Sequence, residues 1–248
     1  MSGLLVAGCE LRGDRNVDLR LREGRIAEIG KGLARDGEEV IEALGGAVIP
    51  GLHDHHVHTL SLAASLRSVV CGPPAVVSRA DLAGALRDAA RAAPPGSWLR
   101  GVGYHESVAG PLDRWQLDAL IGDRPLRIQH RSGALWMLNS AGVRAAGLDL
   151  SGPPGVELDA SGQSTGRLFR SDRWLSERVP REPLDLAAVG RLLAAAGVTG
   201  ITDATPDLTP TAVNAIQGAL VSGALPQHLM ALGAPDDANS GLVPGPYK

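Results

Sequence analysis

Lysine is nearly absent, standing only at Lys31 and Lys248, so arginine supplies almost all of the basic charge. Cysteine occurs twice, at Cys9 and Cys71, far apart and outside any CxxC pair. That excludes a disulfide scaffold and a cysteine zinc site, and nothing demands an oxidising compartment. Aromatic residues make up 3% of the 248 positions, and a formal charge of −3 is spread over interspersed acids and bases. Such a chain offers few stacking platforms and no basic footprint, so no nucleic-acid partner is expected. No apolar run reaches the roughly 18 residues of a membrane span, which removes the membrane as a partner. The apolar N-terminal stretch follows no basic residue and reads as a first strand instead of a secretory signal, which points to the cytoplasm.

What is present is an ordinary soluble composition, 44% hydrophobic and 21% charged, long enough for one large domain or two small ones. Glycine (32) and proline (17) are abundant but punctuate periodic segments, which indicates many turns and no low-complexity tract. Residues 1–49 carry short alternating runs at 4–6, 17–21, 25–29, 39–41 and 47–49, with a hairpin turn at Glu23-Gly24. This predicts a small antiparallel β unit, too small to be comfortable alone. A capping-box-like start at Ser78 with Asp81 opens a helix whose Leu82, Ala85, Leu86 and Ala89 share one face. Strands are expected at 98–102 and 126–129, and helices near 112–121 and 139–146. Residues 152–165 are turn-rich and read as a surface excursion. From about 186 the order is helix, strand (198–203), helix (opened by Thr209 and Pro210) and strand (227–232), the pattern of parallel βα units.

Four of the seven histidines fall in Leu52-His-Asp-His-His-Val-His58. Strict strand alternation would put Asp54, His56 and His58 on one face, with His53 and His55 on the other. Two imidazoles at i and i+2 make half of a divalent-metal site, and a neighbouring carboxylate can orient a ring; a histidine-rich turn without metal has the same spacing. Tyr104-His105-Glu106 forms a polar patch beside a strand end, and Asp203 ends a strand where either a site or a turn role is open. No serine lies in a GxSxG elbow, which disfavours a serine hydrolase.

The run Val48-Ile-Pro-Gly-Leu-His-Asp-His-His-Val-His58 resembles the PGxxDxHxH signature of the metal-dependent amidohydrolase superfamily. Arg131-Ser-Gly-Ala-Leu-Trp-Met-Leu-Asn-Ser-Ala-Gly142 resembles the RxDGHxxxVNSxAL segment of the family-3 amidohydrolases. Asp159-Ala-Ser-Gly-Gln-Ser-Thr-Gly-Arg-Leu168 resembles their DGxPTGxL, Gly197 to Asp203 their GVTxxxD, and Gly245-Pro-Tyr-Lys248 their GPVK. The resemblance implies an α/β fold: a partial (β/α)8 TIM-like barrel with a β-sandwich flank (1–49), a first barrel strand with the metal motif (50–65), an inserted α+β segment (66–184) and barrel strands 2 to 4 (185–248). It implies His56, His58 and a carboxylated Lys248 as ligands of one or two divalent ions, zinc foremost, with Asp54 supporting a ring. Ser132-Gly133-Ala134 replaces the family's aspartate, glycine and histidine, so His130, Arg131, Trp136 and Asn139 are candidates to line the substrate pocket in their place, with a satisfied structural role as the alternative for each.

The implied activity is hydrolysis of a C–N bond other than a peptide bond, in an amide or cyclic amide of a small molecule, by a metal-activated water. Esterase or phosphoesterase chemistry, and a non-catalytic fragment or pseudoenzyme, are the alternatives. Since the length accommodates only about four barrel strands, the catalytic aspartate is expected outside this chain, and the missing half or a second copy is an expected partner.

Overall fold

Two two-residue turns shape the N-terminal sheet of the computed structural model, which describes residues 3–149, 152–180, 183–233 and 242–245. Arg12-Gly13 joins β1 (Leu4–Leu11) to β2 (Asp14–Arg22), and Glu23-Gly24 joins β2 to β3 (Arg25–Gly30). All four turn residues have φ between 52° and 86°, the left-handed pair that matches the twist of a hairpin. β4 (Glu39–Glu42) then pairs parallel to β1, completing the order β3-β2-β1-β4.

This flank is one mixed sheet among the described residues, where an antiparallel unit and a β-sandwich were expected. The reason is the crossing loop 31–38, which side chains of β2 hold across the sheet. Asp18 accepts the N–H of Leu33, while Arg20 donates to the Ala34 carbonyl and to Glu38. Backbone N–H groups of Gly8 and Leu33 keep the Asp18 carboxyl below its ordinary value.

The second sheet is all parallel and lies in chain order: β5 (Leu52–Val57), β12 (Val198–Asp203), β13 (His228–Ala231) and β14 (Val243–Pro244). Its core is built from Val57, Ile201, Leu229 and Ala231 on the strands. They meet Ala63 of α1 (Thr59–Leu66), Val189 of α7 (Leu186–Ala195) and Ile216 of α8 (Pro210–Val221).

Between β5 and β12 the chain builds a third sheet, ordered β10-β11-β9-β8-β7-β6. Its strands are β6 (Val69–Val70), β7 (Leu99–Tyr104), β8 (Leu126–His130), β9 (Leu135–Leu138), β10 (Val156–Leu158) and β11 (Ser164–Phe169). One face packs on α2 (Arg79–Ala92), α3 (Glu106–Ala109) and α4 (Arg114–Asp118), the other on α5 (Ser140–Ala145) and α6 (Asp172–Ser176). β9 feeds both cores: Leu135 and Met137 enter one, Trp136 and Leu138 the other. The surface excursion expected at 152–165 is corrected here, since β10 and the start of β11 fall within it and extend the sheet through β9. No helix among the described residues is long and apolar enough to cross a membrane.

Candidate metal centre

The strand carrying the histidines is irregular where they sit. Asp54 and Val57 lie opposite Ile201 and Asp203, so β5 advances three residues while β12 advances two. The extra residue is a bulge across His55 and His56, and it corrects the strict alternation expected from the sequence. The Asp54 carboxylate closes the bulge by accepting the backbone N–H of His56 at 3.0 Å. That contact is with the backbone of His56.

The histidines separate into two pairs. The rings of His53 and His55 lie 4.4 Å apart, and His53 Nε2 meets Thr202 Oγ1 at 2.8 Å. The rings of His56 and His58 stand edge to face at 5.4 Å. Two imidazoles sharing one tetrahedral ion have ring centroids about 5.2 Å apart, a separation close to the one seen here. His58 Nδ1 lies 3.0 Å from Thr205 Oγ1, and donation by Nδ1–H leaves Nε2 with its lone pair for a metal. Among the described residues, no group of three or more ligating side chains surrounds one point. Lys248, expected as a ligand, lies outside the described residues.

Asp203 is the support beneath this pair. Fully buried at the end of β12, it accepts the N–H of Thr59 at 2.9 Å through Oδ2 and that of Thr205 at 2.8 Å through Oδ1. Helix α1 has no side-chain cap of its own at His58, so a carboxylate from another strand takes that role. One side chain thus fixes both the backbone after His58 and the loop bearing the threonine bound to His58. The sequence left Asp203 open between site and turn; Thr202 and Thr205 were missed, although a strand neighbouring β5 was expected there.

The proposed pocket residues scatter. At the paired ends of β7 and β8, His130 Nε2 lies 3.1 Å from Glu106 Oε2, and its Nδ1 accepts the backbone N–H of Ser132 at 3.1 Å. A backbone N–H only donates, so in the neutral ring the proton sits on Nε2 and faces the carboxylate. Glu106 is held below its ordinary value, chiefly by its own backbone N–H and then by His130. His105 stands 6.1 Å from His130, ring to ring, and Arg131 is exposed.

Asn139 and Trp136 take the structural alternative. Asn139 is fully buried and all its bonds are used: it accepts from Leu126 and Gly142 and donates to the carbonyls of Ile121 and Arg124. Trp136 is 5% exposed, donates to Asp172 and has the guanidinium groups of Arg100 and Arg127 over its ring, 5.4 and 5.3 Å from the centroid.

The model of the Amidohydrolase family matches residues 39–241. N-substituted formamide deformylase of Arthrobacter pascens is 30% identical over 161 residues, which are 60% of this chain and 30% of that protein. In structure, the chain is similar to an uncharacterized metal-dependent hydrolase from Pyrococcus horikoshii OT3, with TM-score 0.65 and 17% identity, over 93% of this chain and 48% of that one. A second, from Pyrococcus furiosus, gives TM-score 0.64 and 19% identity over 92% and 49%. The chain therefore spans about a third of that curated relative and about half of each solved chain, and the structural likeness is one of fold.

Proposed function

The chain belongs to the Amidohydrolase family, and from that premise we propose that its protein is a metal-dependent hydrolase of C–N bonds in small-molecule amides or cyclic amides. The observation that supports this most is the His56–His58 pair, edge to face at 5.4 Å at the end of a parallel strand. These two side chains would hold a divalent ion; imidazole suits zinc among others, and Lys248 is the proposed further ligand. A divalent ion bound there would acidify a water molecule and polarise the scissile carbonyl.

This chain's own residues prepare the site. Thr205 orients the His58 ring, Asp54 fixes the backbone of His56, and Asp203 pins the start of α1 directly after His58. Both carboxylates are engaged by backbone N–H groups, so neither is assigned as general base. His130 and Arg131 are the remaining candidates to face a substrate. Four parallel strands in chain order are how a (β/α)8 barrel begins, and β5, β12, β13 and β14 are read as its first four. Among the described residues the outer edges of β5 and β14 pair with no strand, which a second copy of the chain or a further strand would cover.

The test is a panel of N-substituted formamides, other amides, lactams, esters and phosphoesters, offered to the full-length, metal-replete protein. Metal-dependent amide hydrolysis that disappears in His56→Ala and His58→Ala is the expected result. No amide turnover, or turnover that survives both substitutions, refutes the reading.

A further inference from the structure

Among the described residues Arg124 is a buried cation without a counter-charge. It is 7% exposed, donates through one terminal nitrogen to the Pro94 carbonyl at 3.3 Å, and has a buried Nε with no hydrogen-bond partner. Among the described residues no carboxylate pairs with it. Other buried arginines of this fold are matched: Arg114 by Asp149, Ser140 and the Ser164 carbonyl, and Arg20 by Glu38 and Glu28. An unpaired buried guanidinium is costly, and an anion is what relieves it.

Arg124 lines a groove of about 590 Å³ together with Arg87 and Arg91 from the last turns of α2. Among the described residues Arg91 pairs with Asp88, Arg87 makes no ion pair, and Asp123, the one carboxylate of the lining, pairs with none of the three. Arginines near a helix C-terminus also complement its dipole, which accounts for Arg87 and Arg91 but not for Arg124, which lies beyond the helix. Pro95 and Leu120 add an apolar side to the groove.

We propose that this groove binds a small phosphate monoester. Its dianionic head sits against the forks of Arg124 and Arg87, the geometry guanidinium groups offer tetrahedral oxyanions, and its apolar body lies over Leu120 and Pro95.

Calorimetric titration with phenyl phosphate and with inorganic phosphate tests this on the full chain. The expected result is one site that takes phenyl phosphate more tightly than phosphate. The exposed double variant Arg87→Ala/Arg91→Ala, confirmed folded by its thermal melt, should bind roughly tenfold more weakly or worse, and Arg124→Gln should not bind. No binding of phenyl phosphate, equal affinity for the two ligands, or undiminished binding by the double variant overturns the proposal. The double variant keeps the test decisive if Arg124→Gln does not fold.

Discussion

Replacing Asp203 by alanine removes both acceptors that tie the start of α1 to the end of β12. The carboxylate is fully buried and takes two backbone N–H groups, at 2.9 and 2.8 Å. Hydrogen bonds to a charged group contribute about 1.5–3 kcal/mol each, so two lost bonds bound the effect at about 3–6 kcal/mol. Water entering the gap recovers part of this, which favours the lower end. For a chain of this length 1 kcal/mol moves Tm by about 2–4 °C, so about 3 kcal/mol becomes a drop of about 6–12 °C. Asp203→Asn keeps one acceptor and turns an amide N–H₂ toward the other donor, so it should also destabilise. Thermal melts followed by circular dichroism, with the three proteins side by side, measure this. A Tm for Asp203→Ala within about 2 °C of wild type would refute the clamp.

Gly190 lies inside α7, where alanine is the better helix former by about 1 kcal/mol. An added Cβ, however, would stand 2.3 Å from the Ala224 carbonyl oxygen and 2.9 Å from Pro226, and backbone does not yield cheaply. Gly190→Ala should therefore lower the urea midpoint; a raised midpoint contradicts this packing. Asp18 has its carboxyl lowered from 3.8 by backbone N–H bonds, so its contribution is full above that value and is lost as pH falls through the folded-state value. Asp18→Asn should be less stable at neutral pH but lose less stability below about pH 4, as acid titration of Tm would reveal. Burial pushes the Cys71 thiol up to about 12, so iodoacetamide at pH 8 should label it only under denaturing conditions. Labelling of the native protein at that position contradicts the burial.

Local chemistry made much of this fold legible. The strand read at 198–203 is β12 to the residue; Ser78 with Asp81 is a true capping box; Glu23-Gly24 turns a hairpin. These signals act over a few residues, through caps, turn conformations and periodicity. β9 was missed because all four of its side chains are buried, so it shows no alternation. The parallel entry of β4 depends on Arg20 and Asp18 holding a loop 14 to 18 residues away. In the candidate site, the histidine pair stood out as a motif, but its supports did not. Asp203 meets Thr59 across 144 residues and Thr205 meets His58 across 147, distances that no spacing rule encodes. Asn139, left open between pocket and structure, had the residue type of a helix cap, and capping α5 is part of what it does.

The affinity for zinc, read by competition with a chromogenic chelator in wild type, His56→Ala and His58→Ala, tests the metal centre most directly. The account predicts that wild type binds the ion and that each substitution weakens it by about tenfold or more while Tm without metal stays unchanged. Equal zinc affinity in all three proteins would contradict it.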